Sequence, residues 1–308
     1  MAGGAQRAMT SREWSLLLLL SLLWGGSFFC VGVAVKELPP LTIVALRVAL
    51  AAAILWALAP LTGARRPTNA DAFKALAVVG LVNNALPFAL IAWGQTRLPS
   101  GLASILNAST PLFTLVVAHA LTTEERLSAG KTLGAVAGFA GVALLLGARV
   151  SAARTGALVA EIAVLGAALC YAFASVYARR MRSLGLTPID VATGQATAAS
   201  LLLVPLALIF DRPWTLAAPS AATVASILAI ASACTAFAYI VYFRILAGAG
   251  ATNVVLVTLL VPATSVLLGA AFLSERLAPS HFAGFALIAL GLALIDGRLA
   301  SRLNAGAR

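Results

Sequence analysis

The sequence predicts an all-α integral membrane protein of ten transmembrane helices arranged as two inverted five-helix repeats. Three observations carry this. Of the 308 residues, 61% are apolar and only 10% charged, with a mean hydropathy of +1.00, against roughly 25% charged residues in soluble domains. The apolar residues fall into ten blocks close to the roughly 20 residues that span a bilayer. The second half also repeats the first: glycines follow Arg126 at offsets of 8, 15 and 21 residues (Gly134, Gly141, Gly147) and follow Arg276 at the same offsets (Gly284, Gly291, Gly297). Each arginine closes a Glu125-Arg126 or Glu275-Arg276 pair, and each pair follows a long apolar block holding one proline, Pro111 or Pro262.

Taken in order, the first block, 14–35, follows Arg12 and opens like a signal peptide. The stretch Trp24 to Phe29 continues it with no small-x-small cleavage site, so it is expected to remain as a helix. Blocks 41–61 and 73–94 follow. The fourth, 100–121, places Asn107, Ser109 and Thr110 just before Pro111, which frees a backbone carbonyl one turn back, a way to open the helix locally and place polar groups on a substrate. The fifth, 130–147, is short and glycine-rich, with Gly134 and Gly138 forming a GxxxG pair; close packing inside the monomer is favoured, with a homodimer seam as the alternative. The second set is 156–178, 189–210, 221–245, 251–273 and 281–297. The organisation is thus a tail at 1–13, repeats at 14–147 and 156–297, and a second tail at 298–308.

Charge sets the orientation. Of the 21 Lys and Arg, Lys36, Arg97, Arg149, Arg154, Arg212 and Arg276 fall on one side and Arg47 inside a helix; the rest share the side of the two termini. The positive-inside rule therefore places both termini in the cytoplasm, and five helices per repeat make the halves enter from opposite faces. The net charge of +11 is scattered over short loops, which argues against nucleic acid as a partner. Cys30, Cys170 and Cys234 lie in apolar blocks without CxxC spacing and His119 stands far from His281, so neither a disulfide framework nor a metal site is expected. No carboxylate dyad or nucleophile-base pair suggests an enzyme.

Polar groups inside the bilayer are costly and mark function. The candidates for a substrate cavity are Asn83, Asn84 and Trp93 in the third block, Asn107 in the fourth, Asn253 in the ninth, and the mid-helix aromatics Trp24, Tyr171, Tyr239 and Tyr242. Trp14 and Trp214, near block ends, read as interfacial anchors. Arg47 and Glu161 are the ionisable residues well inside blocks, at similar depth, so a pair is permitted; either is a candidate for substrate charge or proton coupling. Each Glu-Arg pair occupies a turn, where the glutamate is expected to cap the following helix or pair locally.

Trp24-Gly25, Arg47 and the proline, Glu-Arg and glycine pattern closing each half resemble the drug/metabolite transporter superfamily, in particular its EamA-type bacterial exporters, from about Trp14 to Gly297. The resemblance implies a ten-helix basket around a central cavity, alternating access and no prosthetic cofactor. It further implies a bacterial inner-membrane exporter of a small polar metabolite, with amino acids foremost. A multidrug or organic-cation carrier is the alternative. One departure is Gln195, which stands seven residues after Pro188 as Arg47 stands seven after Pro40.

Overall fold

The computed structural model describes residues 9–67, 69–122, 128–147, 155–249, 251–254 and 256–296. Glu125, Arg126, Gly297 and most of both tails lie outside them. The chain folds as α1 (Ser11–Ala34), α2 (Pro40–Ala57), α3 (Ala70–Gln95), α4 (Ser100–Leu121), α5 (Ala129–Gly147), α6 (Thr155–Tyr177), α7 (Pro188–Phe210), α8 (221–249), α9 (Val257–Leu273) and α10 (Pro279–Asp296). Among the described residues, seven helices have the length and apolarity to cross a bilayer, and Gly130–Leu146, Val257–Leu273 and Pro279–Ile295 are shorter apolar helices.

Local chemistry fixes the ends. Thr10 caps α1 and Thr187 caps α7, each in a reciprocal box with the acid three residues on, Glu13 or Asp190. The second block is shorter than expected, since α2 stops at Ala57 and a separate turn covers Ala59–Thr62. Pro60 is the reason, because its ring clashes with the carbonyl of Trp56 and lacks the N–H that would continue the ladder.

Three interruptions shape the interior. In α4 the helix breaks at Ala108 and Ser109, between Ser100–Asn107 and Thr110–Leu121. The carbonyl freed there is met within the chain: Thr110 Oγ1 donates to the Asn107 carbonyl at 2.7 Å and Ser109 Oγ to that of Leu106 at 2.6 Å. The other two interruptions are π-helical turns, Gly80–Ala85 in α3 and Ser232–Phe237 in α8, which sequence periodicity did not reveal. Pro87 accounts for the first by clashing with the Asn83 carbonyl. In the second, Thr235 Oγ1 donates five residues back to the Ile230 carbonyl at 2.8 Å.

Packing follows a two-fold plan. α5 packs on α10 and α2 on α7, each helix on its own counterpart, while α1 packs against α8 and α9 as α6 packs against α3 and α4. Glycine makes the first contact possible. A Cβ on Gly134 would lie 2.6 Å from the Gly291 carbonyl oxygen, and one on Gly141 2.6 Å from that of Gly284. The pairs run antiparallel, and since Gly134 corresponds to Gly284 and Gly141 to Gly291, exchanging the repeats maps one pair onto the other. That is the signature of an axis in the membrane plane. These glycines are therefore used within the chain.

The end opposite the N-terminus is tied by three carboxylates, each bound to the first turn of a helix from the other repeat. Glu37 accepts from Ser220 N and Oγ, both at 2.7 Å, Asp211 from Thr42 N and Oγ1 at 2.7 and 2.8 Å, and Glu275 from Ser100 N and Oγ at 2.7 and 2.9 Å. The sequence-based expectation that Glu275 caps its following helix or pairs locally is thus not met, because its carboxylate is taken up by Ser100 and Gly101 of α4. The left-handed Ser274 (φ 56°) ends α9 and turns the chain towards α4 instead.

The hydrogen bonds from the Ser220 backbone and hydroxyl hold the Glu37 carboxyl below the usual glutamate range. Its contribution is therefore complete above the ordinary glutamate pKa of about 4.3 and is lost as the pH falls through the lowered value. Glu37→Gln is expected to flatten the acid limb of a melting-temperature profile below about pH 4.3. An unchanged acid limb would exclude this contact as a source of the pH dependence.

Candidate functional site

The interior polar cluster is built where α2 faces the π-turn of α8. Arg47 is 8% exposed; its Nε donates to Thr235 Oγ1 at 2.9 Å and its guanidinium carbon lies 3.6 Å from the centre of the Phe88 ring. Around it stand Tyr171 of α6, Tyr239 and Cys234 of α8, and Cys30 of α1. Tyr239 donates its hydroxyl to Asn84 Oδ1 at 2.9 Å, which fastens α8 to the π-turn of α3. Asn84 and Phe88 are one turn apart on α3, as Thr235 and Tyr239 are on α8. The two helices therefore present matched rungs to the arginine.

An aromatic wall adjoins this cluster. Trp24 of α1 and Tyr242 of α8 have ring centroids 5.6 Å apart, and Phe243 lies 5.1 Å from Tyr242 and 6.5 Å from Tyr239. Gly25 allows the close approach on the other flank of α1, since a Cβ there would come within 2.9 Å of the Val261 carbonyl of α9. One face of the site is thus apolar and flat, the other rich in N–H and O–H donors.

The π-turns also explain a second bridge. Asn83 Nδ2 donates to Gln195 Oε1 at 2.9 Å, joining α7 to α3 as Arg47–Thr235 joins α2 to α8. Exchange of the repeats carries Arg47 to Gln195 and Asn83 to Thr235, so the charged and neutral members occupy equivalent places. The site is symmetric in geometry and asymmetric in charge.

Of the residues singled out from sequence, Trp24, Arg47, Asn84, Tyr171, Tyr239 and Tyr242 come together here, with Asn83 one step away. Trp93 belongs elsewhere, under Arg97 at 4.9 Å near the end of α3. Asn107 sits at the break in α4 with its Oδ1 buried and without a partner among the described residues. Asn253 donates one turn back to the Ala249 carbonyl at 2.8 Å. Glu161 is fully buried near the start of α6, but Arg47 reaches Thr235 and Phe88 instead, so the permitted Arg47–Glu161 pair is not formed. Sequence reasoning missed Thr235, Phe88, Cys30 and Cys234. Thr235 carried a usable signal, as a polar residue within an apolar block 152 positions after Asn83.

An all-helical bundle whose halves exchange under a two-fold axis, with buried polar groups at their junction, defines a membrane transporter of the inverted-repeat kind. The comparisons agree: this chain belongs to the EamA-like transporter family, which matches residues 12–147 and again 158–296. It is 24% identical over 280 residues to the uncharacterized transporter YoaV of Bacillus subtilis (strain 168), covering 90% of this chain and 94% of that one. It is 27% identical over 286 residues to the uncharacterized inner membrane transporter YedA of Escherichia coli (strain K12), covering 91% and 89%. A probable amino-acid metabolite efflux pump of the same strain is 27% identical over 293 residues, covering 92% and 94%. A solved crystal structure superposes with a TM-score of 0.67 at 21% identity over 96% of this chain and 99% of its own. That likeness concerns the fold. The protein is a multi-pass membrane transporter and not an enzyme.

Proposed function

We propose that this chain is a secondary carrier of the bacterial inner membrane that exports a small polar metabolite, amino acids foremost, by alternating access through the cavity between its repeats. The observation carrying this reading is the joining of a buried, donor-rich cluster to an aromatic wall at the junction of five helices, α1, α2, α3, α6 and α8. A small solute with a polar head and an apolar side chain matches that pair of surfaces. The similarity to a probable amino-acid metabolite efflux pump supports the same class. The two-fold relation between the repeats supports this reading, because two conformations in which the halves exchange their shapes would open the site to opposite sides by rocking of one half against the other.

The test is counterflow of labelled amino acids in proteoliposomes. Saturable exchange is expected, and Tyr239→Ala, which removes the bond to Asn84 and part of the wall, should raise the half-saturation concentration about fivefold, the equivalent of roughly 1 kcal/mol. Absence of saturable exchange for every amino acid would overturn the substrate class, and flux that never saturates would mark a pore. Both termini are proposed to be cytoplasmic. Reporters fused after Arg308 and after Arg212 should then signal from opposite sides, and a cytoplasmic signal at both would break the orientation.

A further inference from the structure

We propose that Arg47 is a carboxylate-binding subsite, so that the cavity selects anionic or zwitterionic carboxylates and rejects cations. The inference deepens the transporter reading and rests on it. Arg47 is held on two sides, by Thr235 at Nε and by the Phe88 face at 3.6 Å, and is 8% exposed. Among the described residues, neither of its terminal nitrogens meets a hydrogen-bond acceptor. The titratable groups surrounding it are Tyr171, Tyr239, Cys30 and Cys234, phenols and thiols that carry no negative charge at neutral pH. A buried guanidinium is costly unless it is paired, and here the protein leaves its charge open while fixing its plane.

The neighbouring groups agree in sign. Asn84 receives the Tyr239 hydroxyl on its oxygen, leaving Nδ2 buried and without an acceptor. The cluster therefore offers open donors, and the group that satisfies several donors around one planar fork is a carboxylate. The charge of Gln195 at the equivalent position of the other repeat is zero, so the site has one such fork and takes one carboxylate. Trp24, Tyr242 and Phe243 then face the apolar remainder of the molecule.

A matched series separates the ends of such a ligand: L-phenylalanine, 3-phenylpropionate, L-phenylalaninamide and phenethylamine, titrated against the purified full-length protein by calorimetry. The two carboxylates are expected to bind roughly tenfold or more tightly than the two compounds lacking one, the scale of a charge-assisted hydrogen bond. Arg47→Gln should erase that difference, and Arg47→Lys should keep part of it, because an ammonium supplies charge without the planar fork. Thr235→Val, which frees Nε without touching the charge, should reduce the preference to an intermediate value and serves if Arg47→Gln does not fold. Equal binding of acid and amide by the wild type, retention of the preference in Arg47→Gln, or binding of none of the four would each overturn the subsite. Carboxylate-selective binding without any flux in proteoliposomes would leave the subsite standing and overturn the carrier reading instead. Flux without carboxylate preference would do the reverse.

Discussion

Gly141→Leu is expected to remove nearly all folded protein from the membrane. A Cβ at this position meets the Gly284 carbonyl oxygen at 2.6 Å, Ile288 N at 2.9 Å and the Leu287 Cβ at 2.9 Å. Two of the three are backbone atoms, which cannot rotate away as a side-chain tip would. The helices must separate, and in a bilayer the contact between α5 and α10 is held by close packing alone, because lipid tails are as apolar as leucine. Overpacking costs about 1–3 kcal/mol even in soluble cores, a large part of a stability of about 5–15 kcal/mol. Gly130, in the same helix, has nothing within 4 Å of its position for a Cβ. Gly130→Leu is the matched control, and size-exclusion of detergent-extracted fluorescent fusions reads both. Equal monodisperse yields would show that the helix pair tolerates separation.

Glu275→Ala should produce the second large effect. Its carboxylate accepts from Ser100 N at 2.7 Å, Ser100 Oγ at 2.9 Å and Gly101 N at 3.2 Å, so its loss strands donors at the N-terminus of α4, where the helix dipole also favours a negative charge. Loss of a cap costs about 0.5–2 kcal/mol, and the bond here is charge-assisted and links the two repeats. The melting temperature is expected to fall by several degrees, with Glu275→Gln intermediate because it keeps an acceptor without the charge. Transport per folded molecule should change less than folded yield. A normal melting temperature with lost transport would instead place Glu275 in the transport cycle.

The sequence disclosed the repeat through its glycines, since only glycine fits where two backbones touch, and residue type then reports position directly. It disclosed most of the interior polar cluster for a related reason: Arg47, Asn84 and Tyr239 are conspicuous in apolar blocks. The partners were not legible. Thr235 and Phe88 are ordinary residues for a membrane helix, and their meeting with Arg47 depends on π-turns that shift the helical register by about one residue. The Glu275 contact was hidden for another reason. It joins residues 175 positions apart, and nothing in the local pattern around Ser274 tells which helix the turn will address.

The two π-turns carry a historical consequence. A π-turn is a single residue accommodated in an existing helix without destroying it, and such an addition leaves a mark that later substitution does not readily erase. One lies at Gly80–Ala85 and the other at Ser232–Phe237, at corresponding depths in the third helix of each half. Two separate additions at the same place would be needed if the halves had acquired them independently. The simpler order of events puts the extra residue in a single five-helix ancestor, before its gene doubled. The charge asymmetry of the present chain, Arg47 in one half and Gln195 in the other, then dates from after the doubling, when the copies became free to differ.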